Sequence, residues 1–215
     1  MLFCNFMLEP GQISELLAPY GEGQGLADSQ VEYLYVYLNL LLKWNRAINL
    51  TAIRQPEQIV RRHFGESLFA ARQLLAPEAA ETVMDLGSGA GFPGMVLKIF
   101  APAIGLTLVE ANGKKATFLR ELARALQFKD VRVVQERAER LSEKASLVTF
   151  RAVEKFENIL LTAASLISPE GRLGALIGAG QLAAATSTLP GQWSSVAVPE
   201  SDARILAIFR PHARE

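Results

Sequence analysis

The chain has 215 residues, half of them apolar, with 22 basic side chains against 22 acidic and a single cysteine. That length buries a full core without staples, and the composition excludes disordered, collagenous and disulfide-rich secreted classes. Zero net charge argues against a strong sequence-independent nucleic-acid binder, and Cys4 with two distant histidines, His63 and His212, leaves no zinc-ligand set.

The first third reads as helical. A short helix is expected near Ile13 to Leu17, broken by Pro19-Tyr20-Gly21-Glu22-Gly23-Gln24-Gly25. Asp28 or Ser29 can cap a helix running to about Asn45, with Val31, Leu34, Tyr35, Leu38, Leu41 and Leu42 at the 3.6-residue period. Pro56 opens another helical stretch with Ile59, Val60, Phe64, Leu68, Ala71 and Leu75 on one side.

The texture changes at Glu81. Thr82 to Leu86 is a β-rich run that ends in a glycine-rich turn, and a helix follows from about Pro93 to Phe100. Strands are expected at Leu106–Glu110, Val131–Gln135, Leu147–Phe150 and Gly171–Ile177, with helices near Lys114–Leu126 and Phe156–Ile167 between them. Ser195–Val198 and Ile205–Phe209 are too close for a helical crossover and are expected to pair antiparallel. Alternating strands and helices imply an α/β, doubly wound, Rossmann-like sheet, mostly parallel, with a C-terminal antiparallel hairpin. Two parts are expected: an N-terminal helical extension over 1–78 and the sheet domain over 79–215. No apolar run reaches the ~18 residues that span a bilayer. The apolar start, Met1 to Met7, lacks a basic flank, so no signal peptide is expected and the protein is expected to be soluble and cytoplasmic.

Charge is uneven along the chain. Residues 54–155 hold sixteen basic and twelve acidic side chains, against two and five before them and four and five after. A modest basic face fits this, as does a helix surface laced with ion pairs.

The sharpest feature is Asp85-Leu86-Gly87-Ser88-Gly89-Ala90-Gly91-Phe92-Pro93-Gly94, where the first strand meets its helix. Ligands of such sheets sit beyond the carboxyl ends of the strands, and glycines let the backbone approach them closely. Gly89, Gly91 and Gly94 form a G-x-G-x-x-G, which raises a nucleotide-cofactor oxidoreductase as an alternative. The acidic residue at the strand end disfavours it, because Asp85 adds negative charge where a pyrophosphate would sit. It suits an ammonium group, such as the amino-acid end of S-adenosylmethionine. Glu110 ends the second strand, and its carboxylate suits a ribose diol. After the third strand, the Ala138 N–H could face an adenine acceptor and Glu139 its exocyclic amine.

With that loop placed, the chain resembles the glucose-inhibited division protein B family. The matching residues are Lys43-Trp44-Asn45, Asn49-Leu50-Thr51, Arg62-His63 with Ser67, Asp85 to Gly94, Gly113-Lys114-Lys115 with Phe118-Leu119, and Arg151-Ala152. The resemblance spans about residues 30–210. It implies an S-adenosyl-L-methionine-dependent class I methyltransferase acting on N7 of one guanine in 16S ribosomal RNA, free or within a small ribosomal subunit or assembly intermediate. It implies donor contacts at Gly87, Phe92, Ala138, Glu139 and Arg151, with Asp85, Gly89, Gly91 and Glu110 also at the donor. It sets Arg137 and Arg151 near methyl transfer, and His63, Lys114, Arg137 and Arg204 toward the RNA. A monomer with no membrane contact is expected, and a non-catalytic RNA-binding assembly factor is a second alternative. Two positions depart from the family: Glu66 stands where an Asp is usual, and Ala179 where a Lys is.

Guanine N7 carries an in-plane lone pair and no proton, so its methylation needs positioning and electrostatic complementarity rather than an acid–base pair. The scarcity of His and the lone Cys agree with that, and argue against 5-methylcytosine chemistry, which needs a Cys nucleophile. Arg137 or Arg151 could hold guanine O6 or a flanking phosphate through its fork of donors. Trp44 is read as core and His63 as a packed or RNA-facing side chain.

Overall fold

A computed structural model describes residues 8–151 and 156–211; Cys4, Ala152 and His212 lie outside the described residues. The N-terminal helices follow the apolar period. Helix α1 (Pro10–Leu17) buries Ile13 and Leu17, and α2 (Asp28–Asn45) buries Val31, Leu34, Tyr37, Leu38 and Leu41 along one stripe. Tyr37 takes the buried place, while Tyr35 and Leu42 lie at the margin of the stripe. The α2 cap also differs from expectation. Ala27 is the N-cap residue, and Gln30 Oε1 accepts from its N–H at 3.0 Å. Asp28 sits in the first turn, where its charge suits the positive end of the helix dipole. The stretch from Pro56 is continuous but not uniform. Helix α3 (Pro56–Ile59) widens into a π-helical turn at Val60–Gly65 and resumes as α4 (Glu66–Leu74).

Seven strands follow among the described residues: β1 (Thr82–Leu86), β2 (Gly105–Val109), β3 (Val131–Val134), β4 (Ala145–Arg151), β5 (Ile167–Gly178), β6 (Gln192–Ala197) and β7 (Arg204–Arg210). They form one sheet in the order β3-β2-β1-β4-β5-β7-β6. The pairings among β1 to β5 are parallel, and β7 pairs antiparallel with both β5 and β6. Strand β5 begins earlier than its glycine suggested. Ile167 pairs with Ala145, and the register shifts before Arg172 pairs with Leu147. The connecting helices are α5 (Gly94–Phe100), α6 (Gly113–Ala125), α7 (Phe156–Leu166) and α8 (Leu182–Thr188). Helix α8 was not expected from sequence. It buries only Ala185, so it writes no apolar stripe into its residues.

The period of two along the strands sorts the core into two layers. Val83, Leu106, Leu108, Leu147, Leu176 and Leu206 join one apolar cluster with residues of α1 to α6. Met84, Leu86, Val109, Val148, Phe150, Ala175, Ile177 and Ala207 join the other, with residues of α7 and α8. The helices before residue 79 thus share one cluster with a face of the sheet. Strand order reverses between β1 and β4, which sets the β1–α5 loop at the topological switch.

Candidate active site

The β1–α5 loop is held from below and from the side. Ser88 N donates to Val109 O at 3.0 Å and Ser88 Oγ to Asp85 O at 2.8 Å, stitching the turn to the ends of β1 and β2. Gly89 N donates to Glu110 Oε2 at 2.9 Å, and Asn112 N donates to Oε1 at 2.7 Å. Glu110 is therefore clamped by two backbone N–H groups at the end of β2, and each oxygen keeps a lone pair. Gly91 has φ +97°, and a Cβ there would lie 2.6 Å from the Tyr37 hydroxyl. That hydroxyl, from α2, donates to Ala90 O. The N-terminal helices therefore support the loop directly. Pro93 caps α5, which begins at Gly94 rather than at Pro93. Phe92 is buried, stacked on Tyr37 at 5.3 Å between ring centroids and on His63 at 4.9 Å.

Asp85 lies beneath the loop rather than on it. It is fully buried, on the face of the sheet covered by α5, and pairs in register with Thr149. Thr149 Oγ1 donates to Asp85 Oδ1 at 2.9 Å, while Oδ2 is buried without a partner among the described residues. Burial pushes its carboxyl up to about 7, against the opposing pull of the Thr149 hydrogen bond and of the nearby Ser88 hydroxyl and Gly94 N–H; the Glu110 charge adds to the rise. A cation beside Oδ2 would satisfy both the orphaned oxygen and the charge. Thr149 drew no attention in the sequence, although a lone hydroxyl inside Leu147-Val148-Thr149-Phe150 was the available signal.

One step beyond Thr149 on the same face, Arg151 ends β4 and meets a second cluster. Its Nη2 is 3.0 Å from Glu66 Oε2, and its side chain is only 7% exposed. Arg204 Nε, at the start of β7, is 3.4 Å from the same oxygen, and Arg62 Nε donates to Oε1 at 3.1 Å. Burial, opposed by Glu66, pushes Arg151 down to about 10, with the Arg204 and Arg62 charges adding to the fall. His63 Nε2 is 2.7 Å from Thr51 Oγ1. Burial and then the charges of Arg151, Arg62 and Arg204 bring His63 down to about 3, so the ring is neutral at pH 7.

The remaining expected residues sit along the carboxyl end of the sheet. Ala138 is buried in the short 3₁₀ turn Ala138–Arg140, and Glu139 in the same turn is exposed. Arg137 precedes that turn, exposed, its backbone N–H donating to Glu136 Oε1 and its carbonyl accepting from Arg140 N at 3.1 Å, with no side-chain hydrogen bond among the described residues. Arg137 lies in the loop beyond β3 and Arg151 at the end of β4, strands that have β2 and β1 between them. Lys114 is exposed in the first turn of α6. Trp44 is half-buried, its ring edge on Phe118 and its Nε1 donating to Glu121 at 3.1 Å. Gly87 is exposed, and Gly89 is half-buried.

The residues fit S-adenosylmethionine. The Asp85 oxygen that has no partner among the described residues suits its ammonium group, and the clamped Glu110 carboxylate suits its ribose. Among the described residues, no group of His, Cys, Asp and Glu could hold a metal ion, and no helix is long and apolar enough to cross a membrane.

Residues 30–193 match the family model described as rRNA small subunit methyltransferase G. Ribosomal RNA small subunit methyltransferase G of Xylella fastidiosa (strain 9a5c) is 45% identical over 148 residues, 68% of each chain. The protein of the same name from Xanthomonas campestris pv. campestris (strain B100) is 39% identical over 171 residues, 79% of each chain. Among solved structures, ribosomal protein L11 methylase from Lactobacillus delbrueckii subsp. bulgaricus superposes with a TM-score of 0.59 at 16% identity, covering 71% of this chain and 80% of that one. M. jannaschii TYW2 in complex with AdoMet superposes with a TM-score of 0.53 at 13% identity, covering 68% and 73%. At these identities the two structures speak for the fold alone.

Proposed function

Because the chain belongs to the rRNA small subunit methyltransferase G family, we propose that its methyl transfer is directed to N7 of one guanine in 16S ribosomal RNA. The protein is an S-adenosyl-L-methionine-dependent rRNA methyltransferase. Family membership sets aside the oxidoreductase and the non-catalytic assembly factor. The finer reading covers the base, the atom, the small-subunit target, and action as a cytoplasmic monomer.

One observation carries the reading: an acidic residue with an unpartnered oxygen beneath a glycine loop at the topological switch, beside a backbone-clamped carboxylate on the next strand. When bound, S-adenosylmethionine supplies a sulfonium methyl, which guanine N7 can accept through its lone pair with no proton to remove. The chain then needs no general base. His63, the one described histidine, is packed on Phe92 and neutral, in keeping with that demand. Asp85 and the loop at Gly87, Gly89 and Gly91 hold the amino-acid end of the donor. Glu110 orients the ribose, and Ala138 with Glu139 the adenine. Phe92 and the aromatic side chains behind it exclude water from the loop. Arg151 and Arg137 supply positive charge at the acceptor, with His63, Lys114 and Arg204 toward the RNA.

The test is methyl transfer from radiolabelled S-adenosylmethionine to small ribosomal subunits lacking their native N7-methylguanine, with aniline cleavage to map the product. One cleavable site, lost in Asp85→Asn, is the expected result. Tight S-adenosylhomocysteine binding without transfer to subunits or free 16S rRNA would overturn the acceptor and leave the donor site standing.

A further inference from the structure

The cluster around Glu66 is more elaborate than the donor site requires. Glu66 opens α4 and is 1% exposed. Its carboxylate gathers guanidinium groups from three elements: Arg62 from the π-helical turn, Arg151 from the end of β4 and Arg204 from the start of β7. Among the described residues, three guanidinium groups share this one carboxylate, which leaves positive charge in excess in a partly buried place. Burying such an excess is costly unless a ligand completes it.

Two buried nitrogens there have no partner among the described residues, Arg151 Nη1 and His63 Nδ1. Thr51 Oγ1 accepts from Ile53 N at 3.1 Å and lies 2.7 Å from His63 Nε2; when the hydroxyl donates to Nε2, the ring proton sits on the buried Nδ1. Excess positive charge and the unsatisfied Arg151 N–H call for an anionic acceptor, and a proton on His63 Nδ1 adds a second donor to it. The cluster is also reachable, since the side chains of Arg62 and Arg204 are 47% and 22% exposed. Through the His63–Phe92 stack it adjoins the donor loop.

We propose that Glu66 is a positioning residue that assembles Arg62, Arg151, Arg204 and His63 into a receptor for one phosphodiester of the RNA substrate. This rests on the rRNA acceptor argued above. The planar guanidinium fork matches phosphate oxygens, and the open rim at Arg62 admits a polymer. The other source of an oxyanion is the carboxylate of the methyl donor, and the experiment separates the two.

Binding of a fluorescent fragment of small-subunit rRNA is measured by anisotropy across a salt series, and binding of S-adenosylhomocysteine by calorimetry. The proteins are the unaltered chain, Glu66→Gln, Glu66→Asp and Arg62→Gln. Glu66→Gln is expected to weaken RNA binding by about tenfold, and to flatten log Kd against log salt by about 0.7–0.9, one phosphate contact. The S-adenosylhomocysteine Kd stays within about twofold. Glu66→Asp, which keeps the charge, recovers part of the loss. Arg62→Gln, at a half-exposed position, gives the same flattening and decides the matter alone if Glu66→Gln does not fold by circular dichroism. Unchanged RNA affinity and salt slope in the folded variants overturn the receptor. Weakened S-adenosylhomocysteine with unchanged RNA binding also overturns it, and assigns the oxyanion to the donor. If the unaltered chain binds RNA with the expected slope yet transfers no methyl, the acceptor reading falls and the receptor stands.

Discussion

Asp85 shows how a single carboxyl can be prepared for a cation. It is enclosed by the sheet and the glycine loop, and one oxygen is already engaged by Thr149. With its carboxyl raised to about 7 from 3.8, the folded chain binds a proton between those values that the unfolded chain releases. Stability of the free protein therefore falls as pH rises from about 4 to 7, and donor binding, which needs the ionised form, strengthens as pH rises through about 7. Calorimetric titration of S-adenosylhomocysteine from pH 6 to 8.5 should show that strengthening, and Asp85→Asn should bind weakly at every pH with no such trend. A wild-type affinity flat across the range would count against the assignment. The acid–glycine sequence of this loop was legible because its parts are neighbours. The Glu66 cluster was not, and of its partners only Arg62 is near in sequence. Its other partners, Arg151 and Arg204, stand 85 and 138 positions away.

At the scale of elements, most boundaries follow local chemistry. Asn112 caps α6 by accepting from Lys114 N at 3.0 Å and Lys115 N at 3.2 Å. Removing that cap in Asn112→Ala should cost about 1 kcal/mol and lower Tm by about 2–4 °C, read by thermal circular dichroism. The backbone N–H of Asn112 that holds Glu110 survives the substitution, so the loss should fall on stability and spare most of the donor affinity. Where expectation and structure part, local chemistry is quiet or overruled. Helix α8, built from Ala, Ser and Thr after its opening Leu182, writes no stripe. The π-helical turn at Val60–Gly65 is invisible to a 3.6-residue period, although it joins the segment carrying His63 to the one opened by Glu66. Asp28 looked like a cap, yet Gln30 reaches back to Ala27 and serves that end of α2.

Across the whole molecule, the N-terminal helices are part of the machinery of the sheet. Tyr37 of α2 reaches the donor loop, and Glu66 of α4 reaches two strand ends. Arg172 of β5 pairs with Glu81 at 2.9 Å and also bonds Leu74 O at the end of α4, tying helices to sheet at a further point. Tyr37→Phe keeps the stacked ring but leaves Ala90 O buried without its donor, a loss of about 1–3 kcal/mol. The expected result is a lower Tm together with several-fold weaker S-adenosylhomocysteine binding. A lower Tm with unchanged affinity would mean that the helices stabilise the fold without shaping the loop.

By itself the sequence determined the alternation of strands and helices, the C-terminal antiparallel hairpin, the glycine loop and the family resemblance, because each is written in residues close together along the chain. Only the tertiary structure decided which side chains meet. Strand order puts Arg151 one step from the Asp85–Thr149 pair while setting Arg137 two strands away. The period of two turns Asp85, Thr149 and Arg151 toward the same helical layer, where Tyr37, His63 and Glu66 arrive from the first third of the chain. Ion pairs and aromatic stacks across such separations are set by how layers pack, and no local pattern of residues encodes them.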